Sequence, residues 1–176
     1  MATTLMTHEH PGRTVVLRFS SATSDEVAIF QAFGYASFCA QGFESLVIRN
    51  LQYSLVLKHA FKSPQEMDAS AAKHGVMPMG QVFAILSPLL KDEGLRRRIQ
   101  HAIFTRNDLS HHFFRTRKSG AFMSTGEIKA AIQWCNDASA EFAAVSAELD
   151  TRCHELAAQV ARDPESYVPG LARATP

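Results

Sequence analysis

The sequence predicts an all-α fold: a bundle of about five helices with a short N-terminal extended arm. Three observations carry that reading. From Ile128 to Val160, side chains recur in alternating steps of four and three: Ile128, Ile132, Cys135, Ser139, Phe142, Ser146, Leu149, Cys153, Leu156 and Val160. This is a seam with a period of about 3.5 residues, which a helix presents on one side. Helix-start signals precede apolar segments at Ser24-Asp25-Glu26, Ser63-Pro64-Gln65-Glu66 and Ser124-Thr125-Gly126-Glu127. Beyond Thr14–Phe19, no segment alternates apolar and polar residues over the length of a strand. The 176 residues suit one domain. With 46% hydrophobic and 20% charged residues, the chain can bury a core, which excludes disorder throughout.

Residues 1–23 read as a tail and arm. Residues 1–13 lack periodicity, and Thr14–Phe19 is β-prone but too short to build a sheet alone. The first helix starts at the N-cap Ser24, with Asp25 and Glu26 favoured by the helix dipole, and is expected to run to about Phe61. Val27, Ile29, Phe30, Phe33, Tyr35 and Phe38 make its early part apolar nearly all round, which predicts a central position. Gly34 and Gly42 lie near one face, where another helix can approach; Gly42 serves equally as a kink or break. A second helix starts at Ser63-Pro64 and ends near His74-Gly75. A third spans Met79 to Leu90, limited by Pro88. Met77-Pro78-Met79 reads as core or loop packing.

The fourth helix runs from Asp92 to about Lys118, where Ser119-Gly120 breaks it. The fifth follows the capping box at Ser124 and Glu127. Its seam of 33 residues reaches about 48 Å, so it needs a long partner, and the first helix is the obvious one. Asp163-Pro164 ends it. The helical domain therefore spans 24–162, and 163–176 reads as a loose C-terminal tail.

Formal net charge is only +1, but residues 91–118 carry eight basic and three acidic side chains, net +5. Residues 119–176 carry net −4, so a polyanion would seek the fourth helix. Cys39, Cys135 and Cys153 lack metal-type spacing, and an odd count argues against a disulfide framework, so a reducing cytoplasm is expected. No apolar run approaches the roughly 18–20 residues of a membrane span. The first residues include His8, Glu9 and His10 where a signal peptide would be apolar, so neither export nor membrane association is expected.

On the fourth helix, at about 100° per residue, Leu95, Ile99, Ala102, Leu109 and Phe113 fall within about 40° of one line. Arg106 falls about 20° from that line, inside the apolar stripe, which Ile103 and Phe114 extend. Asn107 and His111 sit side by side at i, i+4 just beyond its edge. A guanidinium among apolar residues must meet an anion or several acceptors. A phosphate is one such anion, matched by arginine's planar fork of donors. An internal acid such as Glu44 is another. Beside it, an imidazole can accept and return protons, and an amide can orient an oxygen. Together these groups suffice to cleave RNA without a metal, with the arginine holding charge on the phosphorane.

Arg106-Asn107-Asp108-Leu109-Ser110-His111 resembles the R-x4-6-H signature of HEPN domains, including the polar residue favoured directly after the arginine. The wider resemblance, an all-α chain with the motif late in its penultimate helix, covers roughly residues 24–162. It implies a compact helical bundle. Many such domains are metal-independent endoribonucleases of toxin–antitoxin, abortive-infection or CRISPR-type defence, leaving a 2′,3′-cyclic phosphate and a 5′-hydroxyl. It further implies a homodimer whose two motif helices form one cleft and, for a toxin, a neutralising antitoxin. The implied catalytic residues are Arg106, Asn107 and His111. The pattern also permits His112; His111 is preferred because it stacks one turn above Asn107.

Arg96, Arg97, Arg98, His112, Arg115, Arg117 and Lys118 are candidate RNA contacts along the rim; a solvated charged face is the alternative for Arg96–Arg98. Phe113 and Phe114 read as core or interface residues. No phosphate loop, nucleophile elbow or dinucleotide fingerprint occurs, so no cofactor is expected, and the histidine spacing predicts no metal site. Two other readings compete: a non-catalytic HEPN-like module binding nucleotide or a partner protein, and a helical scaffold whose fifth helix is a partner-binding or dimerising surface.

Overall fold

A computed structural model describes residues 4–10, 13–19, 24–116 and 124–170. These residues are mainly helical, as the sequence predicts, and begin with an N-terminal hairpin, which it does not. The hairpin pairs β1 (Thr4–His10) antiparallel with β2 (Arg13–Phe19), in a register that runs from Thr4↔Phe19 to His10↔Arg13. Residues 4–10 are thus a strand rather than a featureless tail. The passed-over signal is Pro11-Gly12, a turn-favouring dipeptide standing between two short β-prone runs.

Helix α1 (Ser24–Val56) and helix α6 (Thr125–Arg162) form the axis of the bundle. At about 1.5 Å per residue, 33 and 38 residues give rods of roughly 50 and 57 Å. Both carry the same seam. On α6, Ile128, Cys135, Ser139, Phe142, Leu149, Cys153, Leu156 and Val160 are buried; on α1, Ala36, Ala40, Phe43, Val47, Asn50 and Ser54 are buried, again in steps of four and three. Phe43 stacks on Phe142 with ring centroids 5.8 Å apart, and one heptad further on Asn50 Nδ2 donates to the Leu149 carbonyl at 2.9 Å. The pairing advances in the same direction on both helices, so α1 and α6 run parallel. The chain must therefore return along the bundle before α6 begins, and the intervening helices make that return.

Helix α2 (Pro64–Gly75) starts where the sequence places it: Ser63 Oγ accepts from Glu66 N at 3.3 Å. Helix α3 (Met79–Leu86) passes into a 3-10 turn at Ser87–Leu89, earlier than expected. Helix α4 (Glu93–His111) is capped by Asp92, whose Oδ1 accepts from Leu95 N at 3.0 Å. It runs antiparallel to α6, since Arg98 meets Glu148 while Phe113 meets Trp134. It does not continue to Lys118. It stops at His111, and a one-turn helix α5 (Phe113–Thr116) follows. The break seats Phe113 in the core, its ring 5.1 Å from Phe33 and 5.7 Å from Trp134. The proposed break at Ser119-Gly120 lies outside the described residues.

Two further expectations change. Helix α1 stops at Val56 because the chain turns left-handed at His59 (φ 53°). Ala60 N bonds to Leu55 O and His59 N to Val56 O, the paired bonds of a Schellman ending. The early part of α1 is not central: Ile29 and Ala36 are buried, but Val27, Phe30, Tyr35 and Phe38 are exposed. The segment after Asp163 is not loose throughout. Pro164–Tyr167 form helix α7, and Val168 is fully buried in a second small core with Val56, Phe61 and Val160. All three cysteines are free thiols, and burial pushes that of Cys153 above its ordinary value. Among the described residues, no helix is long and apolar enough to cross a membrane.

Candidate active site

The stripe on α4 turns out as the helical geometry requires. Leu95, Ile99, Ala102, Ile103 and Leu109 are buried, and Arg106 lies among them with its side chain 27% exposed. Its guanidinium meets an anion inside the molecule: Nε donates to Glu44 of α1, whose side chain is 22% exposed. Arg106 Nη1 donates to Asn107 Oδ1 at 3.2 Å. The partly buried arginine thus has an internal carboxylate, so a phosphate is not required to explain its position.

Arg106, Asn107 and His111 nevertheless open onto one cavity of about 660 Å³. Glu44 and Ile48 of α1 line one side of it, and the segment from Gly75 to Gln81 lines the other. His111, the last residue of α4, is exposed and lines this space. His112 sits in the turn, outside the lining, with its ring centroid 6.4 Å from that of His111. Asp108 faces the other side of α4. There a cleft of about 390 Å³ also holds His101, Phe104, Trp134, Asp137 and Glu141.

The α2–α3 wall is held from below. His74 is buried beside Gly75, with its Nδ1 2.7 Å from Gln52 Nε2 and 3.3 Å from Ser70 Oγ. Burial holds this imidazole below its ordinary value, so it is neutral at pH 7 and can accept the Gln52 amide proton. Met79 is core, while Met77 and Pro78 form the apolar lip of the cavity.

The basic run on α4 is largely compensated. Arg96 and Arg97 pair with Glu93, and Arg98 pairs with Glu148 of α6. These pairs are exposed and therefore weak, at roughly 0–1 kcal/mol each, so phosphates can compete for the arginines. Helical rise places them about 12–15 Å from Arg106, and none lines its cavity. Arg115 is exposed on α5. Arg117 and Lys118 lie outside the described residues. No group of three or more His, Cys, Asp or Glu side chains suited to a metal occurs among the described residues.

Sequence reasoning found the three polar residues and offered Glu44 as one possible internal partner of Arg106, which is the partner it has, but not the rest of their surroundings. Glu44 is the single acid of α1 beyond its first turn, and that isolation on an apolar helix was the available signal. The wall from Gly75 to Gln81 left no local signal, because it reaches the site only through the packing of α2 and α3. The arrangement offers a partly buried cation with donors remaining on its Nη atoms, an orienting amide, an accessible imidazole and an apolar wall. Comparisons with models of protein families, with curated proteins and with solved structures find no match for this chain.

Proposed function

We propose that this chain is a HEPN-type endoribonuclease that cleaves RNA by attack of a ribose 2′-hydroxyl on the adjacent phosphate. The observation that carries this reading is the opening of Arg106, Asn107 and His111 onto one accessible cavity. In this reading the His111 imidazole takes the 2′-hydroxyl proton, the 2′-oxygen bonds to phosphorus, and the bond to the 5′-oxygen breaks. The imidazolium returns the proton to the departing 5′-oxygen. Arg106 holds the added negative charge through its Nη donors, with Nε anchored on Glu44. Asn107, bonded to Nη1, orients the guanidinium. Arg115 and the weakly paired Arg96, Arg97 and Arg98 supply contacts to flanking phosphates. The products are a 2′,3′-cyclic phosphate and a 5′-hydroxyl. A toxin of this type would have a neutralising antitoxin.

The ion pair between Arg106 and Glu44 favours a second reading, in which Arg106 joins α4 to α1 and the helical module binds nucleotide or a partner protein without cleaving. RNA degradation in EDTA separates the two. The nuclease predicts cleavage by the wild type, with cyclic phosphate ends, and a loss of about 10²- to 10⁴-fold in His111→Ala with the fold intact. An inert wild type, or equal cleavage by wild type and His111→Ala, leaves Arg106 with its structural role alone.

A further inference from the structure

From Val27 to Phe43, α1 carries no Asp, Glu, Lys, Arg or His. One side of this stretch builds the core through Ile29, Ala36, Ala40 and Phe43. The other side is open: Val27 is 42% exposed, Phe30 61%, Tyr35 61% and Phe38 72%. Phe114 of α5, 46% exposed, extends the patch against Phe30, with ring centroids 5.7 Å apart. Scaled by ordinary side-chain areas, these five residues expose about 550 Å² of mostly apolar surface, the upper end for a monomer. Gly34 and Gly42 lie on the same face, and a methyl group placed on either meets nothing within 4 Å. The close helix approach that the two glycines suggest is therefore not made by any described part of the chain.

We propose that this face pairs two copies of the chain, with α1 crossing its own copy antiparallel about a two-fold axis between Gly34 and Phe38. Three arguments choose a second copy as the occupant. The patch and its exposed flanking residues Gln31, Gln41 and Ser45 approach the roughly 800 Å² per partner of a stable interface. A face without charges meets itself with no like-charge opposition and offers no charge pattern for selecting another protein. The two-fold operation sets Phe38 of each copy against Gly34 of the other, a large side chain into an open notch. A membrane-surface helix would carry lysines and arginines beside its apolar face, and this stretch has none. The pairing does not depend on the nuclease reading. It also differs from the expected meeting of two motif helices, since its axis lies on α1.

Sedimentation equilibrium of the full chain tests it. The expected mass is twice the 19.4 kDa of one chain. Phe38→Glu should raise the dimer dissociation constant at least about 30-fold, the size of a hot-spot loss. Gly34→Glu should do the same, and because its side chain enters open space on a helix it keeps the protomer folded if Phe38→Glu does not. Val76→Glu, on an apolar residue 86% exposed elsewhere on the surface, should leave the mass unchanged. A single-chain mass for the wild type at about 100 µM overturns the proposal. So does a dimer whose affinity is unmoved by Gly34→Glu in a folded chain.

Discussion

Arg106 and Glu44 each sit about three-quarters buried, and neither is tolerable there alone. Exposed pairs are worth roughly 0–1 kcal/mol, while removing one partner of a fully buried pair costs about 3–5 kcal/mol. For this intermediate site, Glu44→Gln should lower unfolding free energy by about 1–2 kcal/mol. Adding Arg106→Met should restore much of that loss, because the unpaired cation is gone. A double-mutant cycle by urea unfolding measures the coupling. Strict additivity of the two changes would show that the pair holds nothing together. This residue scale also marks what could be read in advance. Arg106, Asn107 and His111 share a cavity because a helix spaces them at about 100° per residue, a relation contained in the sequence. That Glu44 would be the answering acid is contained only in the packing of α1 on α4, and the sequence could offer it only as one candidate. Asn50 is similar. It is buried at an α1 seam position, with its amide on the Leu149 carbonyl and its Oδ1 without a partner among the described residues. A polar residue in a seam costs stability and favours one register.

At the scale of elements, α6 was the most legible part of the chain, because its period and its capping box agree. Ser124 Oγ accepts from Glu127 N at 3.3 Å, and Ser124 N donates to Glu127 Oε2 at 2.7 Å. Ser124→Ala removes the first bond and should cost about 1 kcal/mol. The buried seam that anchors α6 continues far beyond its first turn, so the loss belongs to local opening. Hydrogen exchange at Glu127 and Ile128 should quicken about fivefold, with little change at Leu149. Equal acceleration at both ends would mean that the cap stabilises the whole helix. Helix α1 was legible in its start and its length but not in its faces. Aromatic residues on every side suggest burial, yet among the described residues only one side is well covered. The end of α4 is not legible in the sequence, because the residues beyond His111 are acceptable in a helix and the break follows from where Phe113 packs. The parallel course of α1 and α6 could not be read at all, since two matching seams fit either direction.

The whole molecule depends on α2–α4 returning the chain between two parallel rods, and His74 fastens α2 to α1 within that return. Burial, with Lys73 nearby, holds its imidazole below the 6.5 of an unconstrained histidine. Above pH 6.5 the ring is neutral in both folded and unfolded chains, and its hydrogen bonds are fully retained. As the pH falls below 6.5, the unfolded chain takes up the proton first, so stability declines until the folded value is also passed. The carboxylates at the start of α4 act lower on the scale. The Leu95 backbone N–H holds Asp92 below its usual value of 3.8, and Arg97 with Arg96 holds Glu93 below 4.5. Their contributions are present above those values and are lost in stronger acid. Urea unfolding at a series of pH values should therefore show a plateau from neutrality to about pH 9, where the buried Cys153 thiol begins to favour the unfolded chain, a first decline beginning near pH 6.5, and a second below about pH 4.5. In His74→Gln the first decline should flatten while the second remains, since glutamine fills the site without titrating. An unchanged slope between pH 5 and 7 in that variant would assign the decline to another group. Because Gly75, the next residue, belongs to the wall opposite Arg106, the same protonation should raise hydrogen exchange across that wall before the α1–α6 seam opens.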